Sequence, residues 1–458
     1  MVDRQATLAP ARERSAERVS SIQTLPRTAS PLCDEYGTTP TRRRSLVSRE
    51  ILAFAAIALM ARLVACFWMD APGMLPAAAY EHGTIARSIV DGRGFSFHFY
   101  GPPGQVVPTS QQAPLMAGLL AGAYALLGTE TRVAFWLVLV IQSVVGSWAT
   151  WHLMRVTEAM FSTRRITWLA GMMASLGPAF VVAPTMVQAV TWNMLALAMM
   201  ADGWWIVRRS PSSLGGITLV AIGNILAWHV DPIMAIAGAL LIIASACGSW
   251  KRSSVAIVSP LILVGILPWT MRNIDMHGRF MMVKDSFAYV FWQGNTMASH
   301  GTDKLPSPTE RISVDTTMPL AFREHLASLP TEVQRMDAFG PLIVEEFSRR
   351  PAQYVEKSLL RARQWIFFDE TNPKSRSLLY RVSYIGLILL AGVGAWHRRL
   401  LWREDLPLLI PIIVMTLFSV LVITSARFRL PAEFLLVPFA ASGAGWLTDG
   451  MRRRKILT

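Results

Sequence analysis

Apolar stretches of about 20 residues recur along this chain, and they limit its possible folds more than any other feature. A helix needs about 20 mostly apolar residues to cross the hydrocarbon core of a bilayer. Hydrophobic residues make up 52% of the 458 positions and charged residues only 16%, whereas soluble domains carry about 25% charged residues. The pattern predicts an all-α polytopic membrane protein.

Ten of these stretches are predicted to be spans. They lie at 51–69, 132–153, 165–185, 188–207, 213–230, 232–249, 253–270, 377–396, 406–425 and 430–447.

The run 114–128 is shorter than a comfortable span, and loop charge decides its placement. If this run does not cross, the N-terminal tail and every basic connection share one side, as the positive-inside rule requires for the cytoplasm. If it crosses, the later basic connections all face outward. We therefore predict that 114–128 is a juxtamembrane helix. The basic connections are 155–165, 207–213, 250–254, 396–405 and 451–455.

This threading predicts cytoplasmic ends and two long segments on the outer face. The first 50 residues are rich in Arg, Ser, Thr and Pro, which is typical of a disordered basic tail. The predicted layout is a tail at 1–50, an N-terminal transmembrane module at 51–270 with its first outer loop at 70–131, an outer loop domain at 271–376, C-terminal spans at 377–450 and a basic tail at 451–458.

The second outer segment is predicted to contain two amphipathic helices. A loop of that length in a helical bundle is usually functional or a small domain of its own. One helix is predicted within 331–350, because apolar residues recur there at three- and four-residue spacing: Val333, Met336, Phe339, Ile343 and Phe347. The other is predicted to start at Pro351, a favoured residue at a helix N-terminus.

The distribution of charge favours an enzyme acting at the membrane surface. The net charge is +14, but the arginines lie in short loops between spans, so nucleic acid is not a predicted partner. Transporters keep ionisable residues inside their spans. Here Arg62 is an exception, and Asp202 and Asp231 lie at or near span ends.

The polar residues that could perform chemistry gather on the predicted outer face. Arginine forks bind phosphate oxygens in pairs, and a facing carboxylate can take a proton from a hydroxyl. Together they describe group transfer from a lipid phosphate. The candidate catalytic residues are Glu81, Asp70 and His82, and the candidate phosphate ligands are Arg272, Arg427, Arg429, Lys284 and Arg361.

Simpler roles remain open for the same residues. Glu81 could only complement a helix dipole, and the arginines could snorkel to lipid headgroups or cap their spans. No set of His, Asp and Glu has metal-ligand spacing, so no metal site is predicted and a divalent metal stays an open alternative.

Three motifs follow one another along the chain: "YEHGTIARSIVDGRGFSF" with the apolar run and span that follow it, "PWTMRN" with "FWQGN", and "RFRLPAEF". Their order resembles the GT-C superfamily of integral-membrane glycosyltransferases, most closely the branch with protein O-mannosyltransferases and the aminoarabinose–lipid A transferase. The resemblance covers about 50–450. Many members have an Asp or an Asp-Glu pair in the first loop, where this chain has Ala79, Tyr80 and Glu81.

The resemblance implies a GT-C-like bundle, a polyprenyl-phosphate-linked sugar as donor, and inverting transfer to a glycan, lipid or protein hydroxyl. It implies that Glu81 is the catalytic base and that the site faces the periplasm from a bacterial inner membrane. Two other classes remain as alternatives, a lipid-linked sugar flippase or transporter and a non-catalytic component of envelope assembly. An enzyme that uses a lipid diphosphate is a further alternative.

Overall fold

The computed structural model describes residues 40–74, 79–102, 104–247, 252–307 and 312–457, which are mostly helical. Residues 47–458 pack as one unit. The predicted tail 1–50 lies outside the described residues as far as residue 39, and the remainder already belongs to the first helix. The helices are α1 (Pro40–Trp68), α2 (Tyr80–Val90), α3 (Pro114–Leu127), α4 (Arg132–Phe161), α5 (Arg164–Leu176), α6 (Pro178–Val182), α7 (Val190–Arg209), α8 (Leu214–Val230), α9 (Pro232–Ala246), α10 (Arg252–His277), α11 (Phe287–Asn295), α12 (Leu320–Ser328), α13 (Glu332–Arg349), α14 (Ala352–Ile366), α15 (Leu378–Arg398), α16 (Leu406–Leu421) and α17 (Ala426–Leu457).

Five stretches of helix in the described residues are long and apolar enough to cross a membrane: Arg49–Trp68, Arg132–Phe161, Arg252–His277, Leu378–Leu401 and Ala426–Asp449. A bent pair, Arg164–Leu176 with Pro178–Thr185, makes a sixth if it counts as one span. Helices α3, α8, α9 and α16 are apolar but shorter. The chain is therefore a helical membrane protein, and the count of ten spans stays a prediction.

Several helices depart from the predicted boundaries. The predicted span 165–185 bends by 46°, because Gly177 leaves the helical region and Pro178 disfavours helix in the residue before it. Helix α17 begins at Ala426 and continues to Leu457, so it includes the predicted tail at 451–457. Helix α10 continues to His277, so Arg272 lies within it.

The centre of the bundle is α7. Its residues are buried on all sides from Asn193 to Trp205, as expected for a helix that packs in a core rather than against lipid. It packs on α4 and α8. Helices α15 and α17 pack closely where Gly394 and Gly443 leave no room for side chains.

The end of the bundle formed by residues 70–131 and 271–376 is called the loop end. Two short antiparallel strand pairs lie there, β1 (Ser96–Phe97) with β2 (Val107–Pro108) and β3 (Lys304–Leu305) with β4 (Ile312–Ser313). An aromatic cluster joins the two segments: the ring centroids of Phe99 and Tyr289 are 5.1 Å apart. Phe339 of α13 completes this contact, with its centroid 5.4 Å from that of Tyr289.

The two amphipathic helices predicted in the second segment are present as α13 and α14. Thr331 and Gln334 form a capping box at the start of α13, which satisfies two backbone N–H groups at the helix end. Met336 and Phe339 are buried, as their spacing predicts. Both residues pack in the same cluster as Phe99 and Tyr289, so α13 is joined to the two loop-end segments.

Candidate active site

Glu81 lies in the first turn of α2. Ala79 precedes this helix without a side-chain cap, so a carboxylate next to the free N–H groups is favourable. Gly83 allows a tight start, because an added Cβ would lie 2.8 Å from the Cβ of Ala79. Glu81 is half-buried, and its carboxylate has no hydrogen bond and no ion pair within 4.0 Å in the described part of the chain.

Lys284 is a cation that interacts electrostatically with Glu81. It follows α10 in the chain and interacts electrostatically with Asp231, Arg427 and Glu81. Burial lowers the pKa of its ammonium, while the two carboxylates oppose that effect. None of these partners comes within ion-pair distance, 4.0 Å, of the ammonium nitrogen. Lys284 is thus a cation held near two carboxylates without a closed salt bridge.

Asp231 supplies the second carboxylate, and sequence reasoning did not select it as a site residue. It lies in the corner between α8 and α9, where its side chain accepts a 3.3 Å hydrogen bond from the backbone N–H of Ile233. Burial raises its pKa, and Lys284 and Arg427 lower it. An Asp-Pro pair indicates the start of a helix. The sequence alone therefore did not indicate that Asp231 lies near Lys284.

His82 is the uncharged member of the cluster. Its Nδ1 atom is buried and has no hydrogen-bond partner among the described residues. Burial lowers the pKa of the imidazole to about 3, with further lowering by the charges of Lys284 and Arg427. His82 is therefore neutral at physiological pH.

Arg427 is the second cation, in the first turn of α17. Its side chain is exposed, and its guanidinium carbon lies 5.1 Å from the ring centroid of Phe428. No described residue accepts a hydrogen bond from the guanidinium or forms an ion pair with it within 4.0 Å. The structure thus brings Glu81, His82, Lys284 and Arg427 together with Asp231.

Arg272 makes different contacts from those predicted for a phosphate ligand. Its guanidinium donates hydrogen bonds of 2.7 Å to the carbonyl of Thr109 and 2.9 Å to that of Phe95. Its guanidinium carbon lies 5.1 Å from the centroid of the Trp269 ring. These contacts fasten the first loop-end segment to α10.

Arg361 and Arg429 are also held by protein acceptors. Arg361 is fully buried and donates to the carbonyls of Gly294 and Val420, at 2.7 Å each. Arg429 is buried beside Glu433, with 2.8 Å between its Nε and the carboxylate. It also donates a 2.6 Å bond to the carbonyl of Phe367.

The ion pair that Asp70 forms is with a residue outside the cluster of Glu81, His82, Lys284, Arg427 and Asp231. Asp70 forms this ion pair with Arg132, and both side chains are mostly exposed. Exposed ion pairs contribute little to stability. The Asp70–Arg132 pair is therefore a surface contact of small energetic effect next to the end of α1.

The described residues contain no group of three or more His, Cys, Asp and Glu side chains placed to hold a metal ion. Around Glu81, His82 and Asp231, the cations Lys284 and Arg427 contribute positive charge. Metal sites need converging lone pairs and negative charge. The residues present do not fit a divalent metal.

The structure contains an apolar cavity of about 370 Å³. It is lined by α3 on one side and by Trp192 and His229 on the other. His229 precedes Asp231 by two residues, so one lining residue is close in the chain to one member of the charged cluster. The full lining is Pro114, Leu115, Gly118, Leu119, Trp192 and His229.

Comparison with known sequences gives no relative: no protein family matches the chain, and no curated protein does. Solved structures do match. The archaeal oligosaccharyltransferase AglB from Archaeoglobus fulgidus, in complex with an inhibitory peptide and a dolichol-phosphate, aligns with a TM-score of 0.51 and 14% identity. The alignment covers 91% of this chain and 52% of that one.

A second structure of the Archaeoglobus fulgidus oligosaccharyltransferase, tethered to an acceptor peptide containing the NVT sequon, aligns with a TM-score of 0.52 and 12% identity. The alignment covers 51% of that chain and 91% of this chain. The chain therefore spans about half the length of the oligosaccharyltransferases it matches. At this identity the likeness concerns the fold alone, and this chain shares the helical fold of the matched part of these oligosaccharyltransferases.

Proposed function

We propose that this protein is a membrane glycosyltransferase that moves a sugar from a polyprenyl-phosphate donor to an acceptor hydroxyl at the loop end. The observation that carries the proposal is the Glu81 carboxylate, which has no hydrogen bond or ion pair among the described residues and interacts electrostatically with Lys284, itself near Arg427. Such a transfer develops positive charge on the acceptor hydroxyl, which must lose its proton, and negative charge on the leaving phosphate. The Glu81 carboxylate suits the first, and the cations Lys284 and Arg427, which form no closed ion pair in the described part of the chain, suit the second.

Glu81 is the proposed general base. It takes the proton of the acceptor hydroxyl as that oxygen attacks the anomeric carbon. The new carbon–oxygen bond forms as the bond from the anomeric carbon to the phosphate oxygen breaks, and the phosphate leaves with the electron pair. Attack from the face opposite the phosphate inverts the anomeric centre.

Lys284 and Arg427 are the proposed ligands of the leaving phosphate. Fixed cations stabilise the charge that grows on it in the transition state. We narrow the predicted phosphate set to these two, because Arg272, Arg361 and Arg429 already donate to protein acceptors. His82, neutral and with a free ring nitrogen, is proposed to orient a sugar or acceptor hydroxyl.

The apolar cavity beside α3 supports a lipid-linked donor, since an isoprenoid chain needs an apolar surface next to the charged cluster. The dolichol-phosphate and peptide bound in the AglB structure are consistent with a lipid donor and an acceptor of this kind. The sugar and the acceptor, whether glycan, lipid or protein, are left open. We propose that the protein lies in the bacterial inner membrane with its N-terminus in the cytoplasm and its loop end in the periplasm.

The test is sugar transfer or hydrolysis by the purified protein with a panel of polyprenyl-phosphate sugars. Glu81→Gln is expected to lower turnover at least about a hundredfold without changing thermal unfolding, because only the base is lost. Glu130→Gln is the matched control, since that acid is partly exposed and paired with Arg87. Wild-type turnover in Glu81→Gln would contradict the assignment.

A second variant tests the phosphate. Arg427→Ala is expected to raise the apparent KM for the lipid donor, because one of its two cations is removed. The control is Arg363→Ala, which removes an exposed arginine paired with Glu370. An unchanged donor KM in Arg427→Ala would count against a phosphate role.

The same variants separate the alternatives. A flippase would move a labelled lipid-linked sugar across proteoliposomes without breaking its bond to phosphate, and the movement would survive Glu81→Gln. A scaffold would show neither activity, and Glu81→Gln would have no phenotype in cells.

A further inference from the structure

We propose that α14 is embedded in the membrane interface, where an apolar stripe on its outer face contacts lipid acyl chains. The stripe consists of Val355, Leu359 and Ile366, whose side chains are all exposed. The partner of this surface is a phospholipid bilayer. The inference concerns the placement of one helix and does not depend on the proposed sugar transfer.

The first observation is that α14 has polar side chains inside and apolar side chains outside. Gln353, Arg361 and Gln364 are buried, whereas Val355 is exposed and Leu359 is 67% exposed. An amphipathic helix on the surface of a soluble domain has the opposite arrangement. An outer apolar stripe is the arrangement expected of a helix that meets hydrocarbon.

The neighbouring helix α13 has the arrangement of a helix that faces water. It buries Met336 and Phe339 and exposes Gln334, Asp337 and Ser348. The two helices follow one another in the same loop-end segment. The outer surfaces of α13 and α14 therefore suit different surroundings, water for α13 and lipid for α14.

The second observation is that hydrogen bonds hold the inner face of α14. The Gln353 amide donates a 2.8 Å bond to the carbonyl of Asn295. The Gln364 amide donates a 2.9 Å bond to the carbonyl of His300, and Arg361 is held on the same face. Rotation of α14 to bury its stripe would break these bonds, at a cost of about 1–3 kcal/mol for each buried group left unpaired. The stripe therefore stays outside.

The third observation is that α14 is bonded to the end of an apolar helix. Tyr354 donates a 3.1 Å bond to the carbonyl of Leu421, and Trp365 donates a 3.1 Å bond to the hydroxyl of Thr416. Both acceptors lie in the last six residues of α16. Helix α16 exposes Leu417 and Leu421 on one face, and such a face meets lipid in a helical membrane protein. The apolar surface of the bundle thus reaches the residue to which α14 is bonded.

The fourth observation is a charged edge beside the stripe. Glu356 and Arg363 are also exposed. At about 100° per residue, both fall on the same side of the line formed by Val355 and Leu359. A bilayer interface accommodates this pattern, because the charged edge reaches the headgroups while the stripe lies among acyl chains. A second copy of this chain would instead have to cover both.

One consequence for the candidate site rests on the proposed function. Arg361 of α14 donates bonds of 2.7 and 3.3 Å to the carbonyls of Val420 and Leu421. From there the chain continues to Arg427 at the start of α17. An α14 that lies in the interface therefore holds Arg427 at the depth of lipid phosphates.

The test measures the surroundings of spin labels on the full-length protein in liposomes of phosphatidylcholine and phosphatidylglycerol. The native cysteines Cys33, Cys66 and Cys247 are replaced by alanine, and a single cysteine is introduced by Leu359→Cys. Electron paramagnetic resonance compares collisions of the label with oxygen, which concentrates in lipid, and with a water-soluble nickel chelate. The oxygen-to-nickel ratio at Leu359 is expected to be several times that of the control.

The matched control is Val344→Cys on α13. Val344 is also aliphatic and is 68% exposed, but it lies on a helix whose outer face is polar, so its label should meet the nickel chelate freely. Glu356→Cys should read closer to water than Val355→Cys, although the two positions are adjacent. Val355→Cys replaces Leu359→Cys if that variant does not fold.

Two outcomes would overturn the inference. A ratio at Leu359 and Val355 equal to that at Val344 would place the stripe in water. Low collision rates with both reagents would show that protein, such as a second copy of the chain, covers it. No sugar donor is present, so the absence of transfer activity would leave the measurement unaffected.

Discussion

The backbone N–H of Ser110 donates a 2.7 Å hydrogen bond to the carboxyl group of Glu332, which is only 2% exposed. The contact joins residues that are 222 positions apart and links the first loop-end segment to α13. The second carboxyl oxygen of Glu332 is buried without a partner in the described part of the chain. A protonated carboxyl group suits such a place better than a carboxylate.

Stability is therefore expected to fall as the pH rises through neutrality. Burial raises the pKa of Glu332 from 4.5 to about 7, with a further rise from Asp285 and lowering by Arg272. A carboxyl group with a raised pKa contributes stability that is complete below its unfolded pKa and is lost as the pH rises past its folded pKa. The shift at Glu332 corresponds to about 3 kcal/mol in the free energy of unfolding. Glu332→Gln should reduce the difference in thermal unfolding between acidic and alkaline buffer.

The matched control for Glu332 is Glu345→Gln on the same helix, where the carboxylate is 56% exposed. It should leave the pH profile unchanged. His277 also lies in this network, with its ring 2.8 Å from the Ser110 hydroxyl, so His277→Asn is measured in parallel. An unaltered pH profile in Glu332→Gln would contradict the assignment.

Gly394 is a position on α15 where the contact with α17 tolerates no side chain, and Gly392 on the same helix is its control. A Cβ at Gly394 would lie 1.9 Å from the carbonyl oxygen of Phe439, whereas one at Gly392 would meet nothing within 4 Å. Gly394→Ala should separate the helices and lower stability by about 2 kcal/mol or more. Gly392→Ala should be neutral or slightly stabilising, since alanine favours helix. Thermal unfolding in detergent compares the two.

Arg361 is expected to be a structural residue rather than a phosphate ligand. Arg361→Ala leaves several buried acceptors unpaired, including the carbonyls of Gly294 and Val420, and each orphan costs about 1–3 kcal/mol. The variant should express poorly and unfold at a lower temperature. Arg363→Ala should behave as wild type, because that side chain is 62% exposed. A stably folded Arg361→Ala with a raised donor KM would instead support the phosphate role.

The sequence predicted those parts of the structure that depend on local periodicity. The apolar faces of α13 and α14 follow from three- and four-residue spacing, and the long spans follow from composition. The bend at Gly177 did not follow from hydropathy, because it depends on a single Gly-Pro pair within an otherwise apolar stretch.

The site was predictable only in part, for a physical reason. Residue type and position at the membrane boundary selected Glu81, His82, Lys284 and Arg427, which the structure brings together. The same criteria also selected arginines that donate to backbone carbonyls far away in the chain. The positions of those carbonyls cannot be predicted from the identities of the side chains. The proximity of Asp231 to Lys284 depends on how α8 and α9 pack against the loop end, which no local pattern encodes.

The pair His152 and Asp202 gives a final prediction inside the helical bundle. The Asp202 carboxylate lies 2.8 Å from Nδ1 of His152 and accepts a 2.8 Å hydrogen bond from Nε of Arg155. His152 and Asp202 are buried, whereas the Arg155 side chain is 37% exposed. Asp202→Ala should therefore cost about 3 kcal/mol, chiefly because His152 loses its buried partner while Arg155 can reach water.

Asp202→Asn should cost less than Asp202→Ala, since its amide oxygen still accepts one of the two bonds. The control is Asp449→Asn, whose carboxylate is 60% exposed and paired with Arg165. Thermal unfolding in detergent orders the three variants. Because the pair bonds α4 to α7 and lines no cavity found beside the site, sugar transfer per folded molecule should be unchanged in Asp202→Asn. A loss of turnover without a loss of stability would show instead that this buried pair takes part in the reaction or in transport.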